Sequence, residues 1–153
     1  MHFIKIKNKI QKFNKDLSIE GDKSLSIRWA LIASQSSFKS RSINLLLSED
    51  VINTLNCLKR LGVKVKISQK FCEIKGVGLN GFKYKKNLTL NAGNSGTLGR
   101  LILGLLTHSK GNIKLKGDKS LSKRDFFRII KPLKKFGADF KSNMGKLPII
   151  IKG

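Results

Sequence analysis

Three polar clusters in this 153-residue chain combine residue types that bind anions. The first is Gly21-Asp22-Lys23-Ser24-Leu25-Ser26-Ile27-Arg28. Lys23 is a point charge, Ser24 a hydroxyl, and Arg28, one helical turn further on the same face, a guanidinium fork. Where a strand turns into a helix, unpaired N–H groups and the positive end of the helix dipole add to that charge. The same residues also describe a capped helix with a surface lysine and arginine, and spacing alone favours that plainer reading. The second cluster is Asn91-Ala92-Gly93-Asn94-Ser95-Gly96-Thr97-Leu98-Gly99-Arg100. Gly93 and Gly96 permit close backbone approach, and Thr97 with Arg100 repeats the hydroxyl-plus-guanidinium pattern. It reads equally as a glycine-rich turn before a helix. The third, Gly117-Asp118-Lys119-Ser120-Leu121-Ser122-Lys123-Arg124, is either a functional polar loop or a solvated one.

Other chemistries find little support. Neither a dinucleotide fingerprint nor a Walker loop is present. His2 and His108 stand apart, Cys57 falls in a helix stripe and Cys72 in a strand, and the nine acids form no evident catalytic pair. No metal site or nucleophile is therefore expected. Asp22 and Glu49 read as helix caps rather than bases.

The elements that must position these clusters repeat. Overlaying 21–76 on 93–153 places Arg28 on Arg100, Ile43 and Leu45 on Ile113 and Leu115, Gly62 on Gly137, and Ile74-Lys75-Gly76 on Ile151-Lys152-Gly153. Each copy reads as a strand (16–20, then 87–91), a helix (24–36, then 96–108), a strand (41–47, then 111–116), a second helix (49–61, then 123–136) and two short strands (63–67 and 71–75, then 138–142 and 147–151). The unit is βαβαββ, an α/β class fold. Val51, Ile52, Leu55, Leu58 and Leu61 form a 3.6-period stripe, Ser48 reads as a good N-cap, and Gly62 and Gly137 as C-terminal glycines. Pro132 should kink its helix or start it late. Residues 2–7 read as one further strand, outside both copies.

Charge points elsewhere at first. Lys and Arg number 32 against nine Asp and Glu, a net charge of +23, which raises nucleic acid as a partner. Yet only six of the 32 are arginine, the lysines run from Lys5 to Lys152, and the few aromatics are not interleaved with arginine as stacking platforms. A dispersed solvated surface explains this better. At 40% hydrophobic residues the chain can build a core. No run approaches the roughly 18 apolar residues of a membrane span, and the amino terminus lacks a signal-peptide apolar region. Two cysteines make no disulfide framework. A reduced, cytoplasmic chain is expected.

The three clusters, in this order, resemble the signatures of the 5-enolpyruvylshikimate-3-phosphate (EPSP) synthase family: GDKSLSIR, NAGNSGTLGR and GDKSLSKRDFFRIIKPLKKFGA. The related UDP-N-acetylglucosamine enolpyruvyl transferases have an Asn where this chain has Ser24 and lack the GNSGT form. The resemblance implies the enolpyruvyl transferase fold, an inside-out α/β barrel of βαβαββ units with two units present here. It implies transfer of the enolpyruvyl group of phosphoenolpyruvate to the 5-hydroxyl of shikimate 3-phosphate, releasing phosphate through a tetrahedral intermediate without cofactor. By resemblance, Lys23 contacts both substrates and, with Arg124, takes the catalytic role. Ser24 and Arg28 hold shikimate 3-phosphate. Asn94, Gly96 and Arg124 line the phosphoenolpyruvate site, and Thr97 and Arg100 support the loop. A side chain at Gly96 would crowd the inhibitor glyphosate. Three positions depart from the pattern: Asp125 replaces a proline, Gly99 an apolar residue, and Trp29 a small one.

The family implies two domains of three units each. On that pattern, residues 1–20 belong to the opposite domain and 21–153 supply two units, about 21–76 and 87–153, of an incomplete three-unit domain. The full enzyme is expected to be a monomer and this chain alone to lack turnover. The competing expectation is a stand-alone basic module that binds nucleic acid or another polyanion.

Overall fold

The computed structural model describes residues 5, 7, 12, 14, 16–17 and 19–153. The strand expected at 2–7 lies outside these residues except for Lys5 and Lys7, which are not in a strand.

The first copy opens with helix α1 (Lys23–Ser34), followed by strand β1 (Lys39–Ile43), helix α2 (Glu49–Arg60) and the hairpin β2 (Lys64–Ile67) and β3 (Phe71–Lys75). The second has β4 (Leu88–Asn91), α3 (Gly96–Leu105), β5 (Ile113–Lys116), a short α4 (Lys119–Ser122), α5 (Phe127–Lys135), β6 (Asp139–Asn143) and β7 (Lys146–Lys152). The first sheet has the order β1-β3-β2, and the second β4-β5-β7-β6. In both, the last strand of the copy pairs antiparallel with its two neighbours. β5-β7-β6 therefore reproduces β1-β3-β2, the structural form of the sequence repeat. β4 adds a parallel edge against β5.

The opening strand expected at 16–20 is not seen among the described residues. Asp16, Leu17, Ile19 and Glu20 are all described, and none is in a strand. Its counterpart β4 buries Leu88 and Leu90, whereas Leu17 and Ile19 remain 69% and 75% exposed. Without apolar burial, a lone segment has little to hold it in a sheet. One tether remains, a hydrogen bond of 2.9 Å from Asn44 Nδ2 to the Ile19 carbonyl.

The helices bury the stripes that the periodicity predicts. Val51, Leu55 and Leu58 of α2 are fully buried, as are Ile27 of α1 and Leu98 and Ile102 of α3. These residues and Ile113, Ile149 and Ile151 of the second sheet form one continuous core across both copies. Each such side chain contributes about 1.5–3 kcal/mol. α2 and α5 both stop at a glycine with positive φ, +87° at Gly62 and +93° at Gly137, a backbone that favours glycine.

Three local expectations change. The strand expected at 41–47 runs instead over Lys39–Ile43, stopping at Asn44, whose φ is +57°. The helix expected over 123–136 is interrupted: α4 ends at Ser122 and α5 starts at Phe127. Asp125 ends the break, its Oδ1 accepting the Phe127 N–H at 2.7 Å. Pro132 then sits inside α5 without a donor for the preceding turn. Ser48 does occupy the N-cap of α2, but its hydroxyl makes no cap hydrogen bond and is buried without a partner. Glu49 and Asp50 in the first turn support that helix end instead, through the dipole.

Candidate active site

The three clusters converge on one solvent-open cavity of about 320 Å³, lined by Lys23, Asp50, Asn94, Gly96, Thr97, Arg100 and Arg124. Each comes from a helix start or a connecting loop, apart from Arg100, which lies one turn into α3. Asp22 caps α1, its Oδ1 accepting from the Leu25 N–H at 2.7 Å, and this sets Lys23 at the first position of the helix. Ser95 caps α3 through its hydroxyl, which accepts from Leu98 N–H at 3.2 Å, so Gly96 and Thr97 begin that helix at the cavity. First-turn N–H groups have no intrahelical acceptor, so those of Gly96 and Thr97 add positive potential there.

Three cations face one carboxylate. Lys23 Nζ lies 3.1 Å from Asp50 Oδ2, tying the start of α1 to the start of α2. Lys23 keeps half of its side chain exposed, so the pair is worth at most about 1 kcal/mol; its effect is to fix where the ammonium stands. Arg124 Nη2 donates to Asn94 Oδ1 at 3.0 Å, and Asn94 Nδ2 donates to Asp118 Oδ2 at 2.8 Å. The Asp118 N–H donates to the Gly93 carbonyl at 2.8 Å. The loops after β4 and β5 are thus stitched together beneath the two polar groups. Arg100 donates to the Gly96 carbonyl at 3.4 Å and lies over the Phe126 ring at 5.3 Å. A Cβ built on Gly96 would stand 2.8 Å from Arg100 Nη1 and 3.0 Å from Arg124 Nη1, so glycine is what lets two guanidinium groups share this wall.

Of the residues singled out in the sequence, Lys23, Asn94, Gly96, Thr97, Arg100 and Arg124 come together. Ser24 and Arg28 do not line this cavity; Arg28 lines an apolar groove with Leu31, Ile32, Gln35, Leu101 and Leu105. Asp50 is a participant that the sequence did not single out: it lies in the first turn of α2, and nothing local reveals a partner 27 residues earlier. Gly99, a departure in the second cluster, faces Phe126, which an added Cβ would meet at 3.4 Å.

A larger cavity of about 490 Å³ lies apart from all three clusters, between residues 80–84 and 105–110. The cysteines also stand outside the site, both buried and free. Cys57 Sγ donates to the Asn91 carbonyl at 3.3 Å, and burial pushes its thiol up to about 11, unsuited to nucleophilic work. Among the described residues no helix is long and apolar enough to cross a membrane.

A cavity of Lys23, Arg100, Arg124, helix-start N–H groups and the Asn94 amide suits a small molecule bearing phosphate and carboxylate groups. Comparison with known proteins gives the family. Residues 7–153 match the family model described as EPSP synthase (3-phosphoshikimate 1-carboxyvinyltransferase). The 3-phosphoshikimate 1-carboxyvinyltransferase of Ruthia magnifica subsp. Calyptogena magnifica is 46% identical over 138 residues, covering 90% of this chain and 31% of that protein. The Oenococcus oeni enzyme of the same name is 42% identical over 144 residues, covering 94% of this chain and 33% of its own length. A solved EPSP synthase of Acinetobacter baumannii superposes with a TM-score of 0.82 at 34% identity, over 90% of this chain and 31% of that one. The chain thus spans about a third of the length of the relatives it matches, over which α1, α3 and the connecting loops carry all three signature clusters. It belongs to the EPSP synthase family.

Proposed function

We propose that this chain supplies one wall of the active site of an enzyme that transfers the enolpyruvyl group of phosphoenolpyruvate to the 5-hydroxyl of shikimate 3-phosphate. The observation that carries the reading is the convergence of all three family signatures on one cationic cavity. In this reading the cavity is the phosphoenolpyruvate subsite. Arg124 and Lys23 hold the anionic groups, Asn94 hydrogen-bonds the substrate, and the open face at Gly96 leaves room for it. The 5-hydroxyl oxygen adds to C2 of the enol phosphate, giving up its proton, as the methylene carbon takes one up; loss of phosphate and of a proton from that carbon then leaves the enol ether, and both steps shift negative charge. Fixed cations and N–H groups stabilise that charge without reorganising during the reaction. Thr97 and Arg100 shape the loop. Ser24 and Arg28, one helical turn apart on α1, extend the site toward shikimate 3-phosphate. Residues 21–153 then form two units of a larger domain, residues 1–20 belong to the opposite one, and turnover is a property of the whole enzyme.

Titration of the chain with each substrate tests this. Lys23→Ala is expected to weaken both phosphoenolpyruvate and shikimate 3-phosphate, and Arg124→Ala phosphoenolpyruvate alone. Substrate binding that survives both substitutions would refute the assignment.

The polyanion-binding alternative draws less support. The outer face of the first sheet carries Lys39, Arg41, Lys64, Lys66 and Lys75 across β1, β2 and β3. Two of these are engaged internally, Arg41 at 3.0 Å and Lys39 at 3.5 Å from Glu73, whose carboxyl the Arg41 hydrogen bond holds below its usual range.

A further inference from the structure

We propose that Asp118 is a positioning residue: it fixes the orientation of the Asn94 amide and, through it, the Arg124 guanidinium in the anion cavity. The proposal rests on reading that cavity as the phosphoenolpyruvate subsite.

Three contacts carry it. Asp118 Oδ1 accepts from the Leu121 N–H at 2.6 Å and caps α4. Its Oδ2 accepts from Asn94 Nδ2 at 2.8 Å, and its backbone N–H donates to the Gly93 carbonyl at 2.8 Å. The side chain is therefore held at one oxygen while the other is aimed across the cavity wall. An ionised carboxylate only accepts, so it selects the amide orientation that presents Nδ2 to itself. Asn94 Oδ1 is then left facing Arg124, which donates to it at 3.0 Å. With the amide reversed, Asn94 would present N–H groups to a guanidinium that has only donors, and Arg124 would lose its anchor.

Electrostatics alone argues the opposite way. A carboxylate beside an anion site repels the ligand, so removing it should tighten binding. A positioning role predicts weaker binding on the same substitution, and the sign of the effect separates the two.

Asp118→Ser is the informative variant. Serine caps helices well, so the Leu121 contact survives, but its one short hydroxyl is committed to the cap and leaves Asn94 without an acceptor. The test is phosphoenolpyruvate titration of the 153-residue chain and its variant, with the Asn94 side-chain amide followed by NMR and the unfolding midpoint by circular dichroism. The expected result is an unchanged midpoint, affinity about tenfold weaker, from loss of one charge-assisted anchor, and a displaced Asn94 Nδ2 resonance. Equal or tighter binding with the resonance unmoved would overturn the proposal. If the unsubstituted chain binds no phosphoenolpyruvate, the functional reading fails, and the Asn94 resonance alone decides the positioning role: displaced supports it, unmoved refutes it.

Discussion

The hexapeptide Gly-Asp-Lys-Ser-Leu-Ser occurs twice, at 21–26 and 117–122, and the fold uses the two copies differently. Their local chemistry is the same. Asp22 and Asp118 each accept from the N–H three residues on, at 2.7 and 2.6 Å, and each begins a helix. The outcomes then part. The first opens α1, twelve residues long, because Ile27, Ala30, Leu31 and Ala33 follow with a face to bury. The second opens only a four-residue turn, because Lys123, Arg124 and Asp125 follow and offer no apolar stripe. The leucine changes sides, Leu25 being 66% exposed and Leu121 fully buried. Lys23 lines the anion cavity, and Lys119 does not. In the first copy the lysine reaches the site; in the second it is the aspartate, through Asn94. Short-range sequence dictates the cap, whereas the following residues and the packing decide which side chain meets a ligand.

The largest expected difference is in binding. Lys23→Ala should weaken phosphoenolpyruvate by about 30-fold or more, the loss of one charged contact, while Lys119→Ala should leave it unchanged. Calorimetric titration of the two variants side by side checks this, and equal effects would abolish the distinction between the copies.

Next come the two glycines. A Cβ on Gly21 would fall 2.2 Å from the Asn44 carbonyl oxygen and 2.9 Å from the Leu46 nitrogen, both backbone atoms. On Gly117 the nearest atom is Leu121 Cδ2 at 2.7 Å, the end of a side chain, with the Gly93 carbonyl oxygen and Leu121 Cβ at 3.0 Å. Gly21→Ala should therefore lose about 2–3 kcal/mol in urea unfolding and Gly117→Ala about 1 kcal/mol. A reversed order would show that the second loop is the more rigid.

The smallest contrast concerns the closing serines. Ser26 is buried; its hydroxyl donates to the Asp22 carbonyl at 2.7 Å and accepts from Leu46 N–H at 3.2 Å. Ser122 makes one long contact, 3.4 Å, to the Gly117 carbonyl. Ser26→Ala should cost about 1–2 kcal/mol and Ser122→Ala a few tenths. Thermal unfolding of both variants, read at the same pH, would expose equal costs if burial did not matter.

What could be read from the sequence follows the same division. Helix α2 was expected at 49–61 and spans Glu49–Arg60, because Val51, Leu55 and Leu58 recur at helical spacing and Gly62 ends the run. β3 occupies 71–75 as expected, with Cys72 and Ile74 alternating inward. The clusters were legible because cap, hydroxyl and cation lie within a few residues of one another. Partnerships across the fold were not: Asp50 with Lys23, Asp118 with Asn94, and Arg41 over Phe71 at 4.4 Å join residues 24 to 30 positions apart. The strand expected at 16–20 is not seen among the described residues for the same reason. Leu17 and Ile19 alternate correctly, but alternation cannot supply the partner that would cover them.

Where phosphoenolpyruvate binds is the most direct test of the site. A titration of the isotopically labelled chain, followed by two-dimensional NMR, reads the backbone amides and the arginine side chains together. It should displace Lys23, Asn94, Gly96, Thr97 and the Arg124 side chain together, saturating with one affinity, and leave Lys119 and the outer-sheet lysines still. Displacements confined to Lys119 or to Lys64, Lys66 and Lys75, with the cavity residues unmoved, would contradict it.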